Sequence, residues 1–225
     1  MSQVLDELVS LLSMEPIEED LFRGASQDLG FRQMFGGQVL GQSLSAASQT
    51  VGDGRLVHSL HGYFLRPGDA GLPVVYQVER VRDGGSFSTR RVTAIQKGKT
   101  IFTCAASFQG IEEGFHHQAQ MPEVPGPETL RSETVLARLV ADKLPERLRE
   151  RAVHDKPIDI RPVSLNNPFD PKPADPVKHV WFRADGELPD NPALHQYLLA
   201  YASDFGLLTT SMLPHGVSVW QKFMQ

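Results

Sequence analysis

The chain has 225 residues, 40% of them hydrophobic and 22% charged, and carries a formal net charge of −5. This is the composition of a globular protein with one large domain or two small ones, and nothing in the negative balance suggests a nucleic-acid footprint. A single cysteine, Cys104, excludes an internal disulfide and a cysteine-based metal cluster, and fits a reducing compartment.

The first twenty residues contain no Lys or Arg and no continuous apolar run, so they do not read as a signal peptide. Val4, Leu5, Leu8, Leu11 and Leu12 recur at helical spacing and predict an amphipathic helix lying on the body. No stretch approaches the roughly 18 apolar residues of a membrane span, and the terminal Phe-Met-Gln is no peroxisomal address. A cytoplasmic enzyme or binding protein is the class that remains. Gly36–Thr50 (GGQVLGQSLSAASQT) predicts a second helix without a single charge, which must be buried all round. Its Gly41, Ser43, Ala46 and Ala47 admit close backbone approach. Four segments rich in β-branched and aromatic residues follow: Leu56–Arg66, Val74–Arg82, Phe87–Gln96 and Ile101–Gln109. Pro67-Gly68, Asp83-Gly84-Gly85 and Lys97-Gly98-Lys99 separate them as turns. A buried helix followed by four hairpin-linked strands suggests an antiparallel sheet wrapped around that helix, the hot-dog arrangement; the local signals alone specify α+β with a buried helix.

Residues 110–130, with Pro122, Pro125, Gly126 and Pro127, read as a linker. A charged helical stretch, Ser132–Val153, follows, and Pro145 should interrupt it. A second periodic region starts at Ile158. Phe182-Arg183-Ala184 precedes an apolar helix at Asn191–Leu208, as Phe22-Arg23-Gly24 precedes the first one, which suggests two copies of one unit. Only Thr209–Gln225 follows the second helix, with one strand expected within Gly216–Phe223. The expected organisation is a first unit with its N-terminal helix at 1–110, a linker with connecting helices at 111–155, and a second unit at 156–225 lacking most of its sheet.

Asp204 is the strongest candidate for chemistry. Helical spacing surrounds it with Ala200, Tyr201, Leu207 and Leu208, an apolar stripe on which an unpaired carboxylate is costly. The bland alternative is an Asp bonded locally at the helix end before Gly206. Aligning the two Phe-Arg pairs, and allowing the second connection to be three residues shorter, sets Asp204 opposite Ala47, in a first helix that holds no acid, so one unit would be catalytic and the other a scaffold. Gly36-Gly37 at the helix start would offer backbone N–H groups to a carbonyl or phosphate, which makes Gly37 a candidate for substrate binding; simple permission for a tight loop-to-helix entry is the plainer reading. His58 and His61 fall on opposite faces of one strand, and His58 shares its face with Leu56, Leu60 and Phe64. A buried histidine bonded to backbone is one reading of His58, and a place lining an acyl tunnel is the other. Arg80, Arg82, Arg90 and Arg91 cluster around one hairpin, where basic residues more often serve solubility than ligands. Cys104 alternates with Phe102, Ala106 and Phe108, a core position. Ser43 lacks the second glycine of a nucleophile elbow, since Ser45 stands there, and His116-His117 have no partners at metal-ligand spacing.

Several long blocks carry a resemblance. LFRGASQDLGFRQMFGGQVLG at Leu21–Gly41, VHSLHGYFLRPGD at Val57–Asp69 and RDGGSFSTRRVTAIQ at Arg82–Gln96 are similar to the acyl-CoA thioesterase II family, as are IDIRPV at Ile158–Val163, HQYLLAYASDFGLL at His195–Leu208 and LPHG at Leu213–Gly216. The resemblance spans the chain in order. It implies a double hot-dog fold, and hydrolysis of medium- to long-chain acyl-CoA to fatty acid and coenzyme A without metal or cofactor. It also implies association into a homo-oligomer. The family's catalytic set is an Asp in the second hot-dog helix with a Thr or Ser and a Gln on the second sheet. Asp204 matches the Asp, and the other two would lie beyond Gln225. The expected partner is therefore an acyl-CoA substrate, with no nucleic acid and no membrane span. The chemistry would be a water oriented and deprotonated by Asp204. The competing class is a non-catalytic acyl-binding or oligomer-supporting remnant of such an enzyme. A hot-dog hydratase is a weaker third, because no histidine follows Asp204 closely.

Overall fold

A computed structural model describes residues 2–29, 33–144 and 146–219. The chain divides into two compact units, one formed by Asp6–His116 with Leu188–Asp204 and the other by the remaining residues.

The first unit holds most of helix α1 (Gln3–Leu12), which buries Leu8, Leu11 and Leu12 as its spacing predicts. Two short strands, β1 (Glu15–Glu18) and β2 (Leu21–Gly24), lead to helix α2 (Gly36–Ser48). Four long strands follow: β3 (Arg55–Phe64), β4 (Val74–Asp83), β5 (Phe87–Gln96) and β6 (Lys99–Gly110). All six pair antiparallel in the order β1-β2-β4-β5-β6-β3, and α2 packs on their inner face. A helix sheathed by an antiparallel sheet is the hot-dog fold, in the α+β class. Its core joins Val39, Leu44, Ala46 and Ala47 of α2 to Val74, Tyr76, Val78, Val92, Ala94, Phe102, Cys104, Ala106 and Phe108 of the sheet.

Because α2 is buried all round, its polar side chains need internal partners. Gln42 supplies its own: Nε2 donates to the carbonyls of Leu11 and Ala25 at 2.7 and 2.8 Å, and Oε1 accepts from Tyr76 at 2.7 Å. Gln38 likewise donates to Ala25 O and accepts from the Gln27 amide. Ser43 is buried in mid-helix, with no elbow around it.

One strand departs from simple alternation. The β3–β6 register slips between Val57 and Ser59, leaving His58 as the extra residue of a bulge. Parity inverts there, so the core-facing residues are Val57 and Leu60, three apart, and the expected face of Leu56 with His58 and Leu60 does not exist. At the hairpin above, Arg90 is buried, not a surface cation. Its side chain donates to Thr50 Oγ1 (2.7 Å), Thr50 O (2.8 Å), Arg82 O (3.0 Å) and Asp83 Oδ1 (2.7 Å). Arg80 and Arg91 pair on the surface with Asp20 and Glu79.

Helix α5 (Pro192–Ala202) completes this unit. The Asn191 side chain caps it by accepting from the Ala193 and Leu194 amides, and Pro192 stands in its first turn. It is shorter than the expected Asn191–Leu208. Gly206, at φ +82°, breaks the chain, and a separate short helix α6 (Leu207–Ser211) begins beyond it. Leu194, Leu198 and Tyr201 are buried, while Leu199 is exposed. Its packing face meets α2, whose glycines permit the approach: a Cβ on Gly41 would lie 2.7 Å from Leu12 Cδ2 and 3.1 Å from Tyr197 O. Gln196 docks α5 on the sheet edge like a short strand, donating to Val57 O at 2.8 Å and accepting from Val57 N at 3.3 Å.

The other unit contains α3 (Glu133–Leu139), capped by Ser132, and α4 (Glu146–Val153). The expected break at Pro145 lies outside the described residues. A two-stranded antiparallel ribbon joins β7 (Ile158–Pro162) to β8 (Val180–Ala184). Phe182-Arg183-Ala184 thus lies on a strand, as Phe22-Arg23-Gly24 does on β2. Residues 216–219 form no strand, and the rest of the strand expected at Gly216–Phe223 lies outside the described residues.

Candidate active site

The break at Gly206 changes the setting of Asp204. The residue follows Ser203, the C-cap of α5, so it does not sit on a helical stripe with Leu207 and Leu208, both of which are exposed. Freed from the helix, its carboxylate reaches the start of α2. Oδ2 accepts from the Gly37 amide at 3.0 Å. Phe35, the N-cap residue of α2, makes no side-chain cap, so Asp204 answers a helix N-terminal N–H that would otherwise lack a side-chain acceptor.

At this start Gly37 is required by packing against backbone, and Gly36 leaves room for two side chains. A Cβ on Gly36 would stand 2.7 Å from Asp204 Oδ2 and 2.9 Å from Phe64 Cζ, and one on Gly37 would collide with Tyr201 O and the Phe35 ring. Phe35 and Tyr201 meet edge to face at 5.1 Å. The permissive loop-entry reading of these glycines is therefore incomplete: the space is taken by the carboxylate and by the backbone of α5.

Asp204 forms part of the wall of a cavity of about 410 Å³, with Gln33, Met34, Gly36, Val39, Phe64, Leu65, Arg66, Pro67, Gly68, Ile101 and Phe102. The wall is mostly apolar, with one carboxylate and one guanidinium. Partial burial raises the Asp204 pKa above the ordinary 3.8, and the hydrogen bond from Gly37 pulls it part of the way back. The result is a carboxylate more basic than usual beside an apolar chamber, an arrangement suited to accepting a proton from water.

Of the three residues singled out from sequence, Asp204 and Gly37 are brought together and His58 is not among the residues lining the cavity. His58 is exposed at its bulge. Its Nε2 lies 2.9 Å from Ser107 Oγ and its ring 5.7 Å from that of Phe87. The buried, backbone-bonded reading fails because the bulge turns this position outward. Sequence reasoning missed the strand-end segment Phe64–Gly68, which builds much of the cavity wall. Its signal was the Pro67-Gly68 pair, read only as a turn. Cys104 is a core residue, 4% exposed, and burial pushes its thiol up to about 12.

Residues 26–109 match the family model for the acyl-CoA thioesterase N-terminal domain, and residues 147–225 the model for acyl-CoA thioesterase. The whole chain is 46% identical to acyl-CoA thioesterase 2 of Haemophilus influenzae, covering 79% of that protein. Over 92% of its length it is 42% identical to human acyl-coenzyme A thioesterase 8, covering 68% of it. Among solved structures, an acyl-CoA thioesterase II from Mycobacterium marinum matches with a TM-score of 0.69 at 39% identity, over 93% of this chain and 71% of that one. A tesB protein from Mycobacterium avium subspecies paratuberculosis matches with a TM-score of 0.75 at 31% identity, over 94% and 74% of the two chains. Hot-dog fold, residue blocks and relatives agree, and this chain belongs to the acyl-CoA thioesterase II family.

Proposed function

We propose that the chain hydrolyses medium- to long-chain acyl-CoA thioesters through a water held by Asp204. The class of reaction follows from family membership: an acyl-CoA thioester and water give a free fatty acid and coenzyme A. The observation that carries the residue assignment is the 3.0 Å bond from Gly37 N to Asp204 Oδ2 at the wall of an apolar cavity. Pinned by that bond, the carboxylate keeps lone pairs for a water. The water oxygen attacks the thioester carbonyl carbon while its proton passes to Asp204. The tetrahedral intermediate collapses with cleavage of the C–S bond, and the proton goes out to the departing thiolate. Apolar walls of Met34, Val39, Phe64, Ile101 and Phe102 suit a hydrocarbon chain, and the volume falls in the range of small-molecule sites. Gly37 serves as the backbone anchor of this site.

In the same reading the protein is cytoplasmic and works as a homo-oligomer, each chain holding a first hot-dog unit at 1–110, a linker with connecting helices at 111–155, and at 156–225 a second unit lacking most of its sheet. The test is release of free thiol from acyl-CoA by the parent chain and by Asp204→Asn, on substrates from acetyl- to palmitoyl-CoA. We expect the substitution to lower kcat by roughly 10²- to 10⁴-fold, the usual worth of a general base, and kcat/KM to rise from acetyl to the longer chains. Turnover by the variant within tenfold of the parent would sink the assignment of Asp204, and a preference for acetyl-CoA would sink that of the chain length.

A further inference from the structure

Among the described residues the cavity wall carries one cation, Arg66, and the proposed chemistry gives it no task. We infer that Arg66 is the receptor for an anionic oxygen group of the substrate. The inference rests on the reading above, in which this cavity holds the thioester.

Three observations carry it. The first is position: Arg66 follows the end of β3, and within a wall otherwise built largely of side chains such as Met34, Phe64 and Ile101 its guanidinium is the only positive charge among the described residues. The second is that the segment is held in place. The amides of Leu65 and Arg66 both donate to Ile101 O, at 2.8 and 3.1 Å, the Met34 amide donates to Gly68 O at 2.9 Å, and Arg66 Nη1 donates to Thr100 O at 2.7 Å. A cation fixed this way loses little freedom when it takes a ligand. The third is its pairing. In the same unit Arg23, Arg80, Arg90 and Arg91 each meet a carboxylate, and Arg55, which does not, spends its donors on Ser88 Oγ and the carbonyls of Gly84 and Gly85. Among the described residues Arg66 has no carboxylate within ion-pair distance, and its one recorded side-chain hydrogen bond goes to a neutral carbonyl. A guanidinium presents five N–H donors in a planar fork that matches phosphate or carboxylate oxygens two at a time.

The charge balance of the whole chain points the same way. At −5 the protein repels a polyanion at long range, so capture of coenzyme A calls for a local positive group at the apolar site. Coenzyme A brings phosphates at the end of its pantetheine arm. An acyl chain ending in a carboxylate would bring the same chemistry from its opposite end.

The experiment is a calorimetric titration of the 225-residue chain and its Arg66→Ala and Arg66→Lys variants with thioether analogues that cannot turn over. The ligands are S-octyl-coenzyme A, S-octylpantetheine and the ω-carboxy form of S-octylpantetheine. We expect Arg66→Ala to bind S-octyl-coenzyme A roughly ten- to hundredfold more weakly, the range of charge-assisted hydrogen bonds, and S-octylpantetheine as the parent does. Arg66→Lys should fall between, because it keeps the charge and loses the fork. A loss confined to the ω-carboxy ligand supports the proposal with the acyl carboxylate as the anion. Equal weakening of all three ligands, unchanged affinity for all three, or no binding of S-octyl-coenzyme A to the parent overturns it. Where Arg66→Ala unfolds, the lysine variant carries the same comparison. Asp204→Asn, which should lose turnover and keep binding, separates failure of this inference from failure of the catalytic reading.

Discussion

Gly36→Ala places the sharpest demand on the proposed site. Gly36 opens α2 without a left-handed φ, so alanine fits its backbone, and in a helix alanine is favoured over glycine by up to about 1 kcal/mol. The strain falls on the side chains instead. The new Cβ would lie 2.7 Å from Asp204 Oδ2, and ordinary contact begins at 3.4 Å, so the carboxylate must retreat by about 0.7 Å. Phe64, whose Cζ would be at 2.9 Å, is the far end of a side chain and can swing. Folding thus changes little, within about 1 kcal/mol of the parent, because what has to move is a carboxylate and a ring rather than backbone. Catalysis changes more: a displacement approaching 1 Å in a positioned group costs on the order of 10²-fold.

The retreat also stretches the 3.0 Å bond from Gly37 N, which is the one influence holding the Asp204 pKa down against burial. The acid limb of kcat/KM, expected in the parent above the ordinary carboxylate value, should therefore move to still higher pH. The assays are thiol release across pH and thermal unfolding of parent, Gly36→Ala and Gly52→Ala, the last a control at a position where a Cβ meets nothing within 4 Å. A Gly36→Ala enzyme with kcat/KM within threefold of the parent and an unmoved acid limb would refute the geometry. A variant that fails to fold would refute the division between stability and chemistry.

Two further outcomes test the scaffold. Arg90→Ala removes the donor shared by Thr50 O, Arg82 O and Asp83 Oδ1; because Asp83 is half exposed, the loss is that of the buried carbonyls left without a donor, about 2–3 kcal/mol, lowering the unfolding midpoint by roughly 5–10 °C, and a loss under about 1 kcal/mol would show the guanidinium to be dispensable. Cys104, 4% exposed with its thiol pushed up to about 12, should resist thiol reagents at pH 8 until denaturant is added, when one thiol per chain reacts; fast labelling of the native protein would contradict its place among Phe102, Ala106 and Phe108.

What the sequence made legible follows the range of the interactions. Phe87–Gln96 is a strand from end to end as expected, and α2 lies within one or two residues of its predicted bounds, because apolar alternation and turn residues act locally. The core place of Cys104 follows from the same alternation. The failures are nonlocal. Nothing around His58 announces that β6 needs an extra residue opposite it, and the bulge turned a face assignment inside out. Arg90 reads as one of four surface cations, since its partners Thr50 and Asp83 reveal themselves only when the hairpin closes over α2. The bond between Gly37 and Asp204 joins residues 167 positions apart. No periodicity carries such a contact, and the pairing of these two candidates became visible only in three dimensions.

The termination of α5 explains why an acid is tolerated here at all. Had the helix run on to Leu208, Asp204 would have lain between Ala200 and Leu208, one turn away on either side, with no N–H to meet it. A carboxylate held there by apolar neighbours resolves its burial by taking up a proton. Helix α5 ends at Ala202, two residues before Asp204, and the left-handed Gly206 turns the chain beyond it, which leaves the side chain to reach the uncapped start of α2. There a backbone N–H and the positive end of a 13-residue helix favour the charged form, while the cavity wall favours the neutral one. Burial leads, so the pKa rises, and the Gly37 bond opposes it. A general base for water needs that balance: basic enough to take the proton and still ionised at working pH. The same carboxylate in solvent would be a weaker base, and in the helix interior it would carry no charge to use. The break at Gly206, which local patterning reads only as a helix end, is thus the feature of the fold that turns a buried acid into a candidate catalyst.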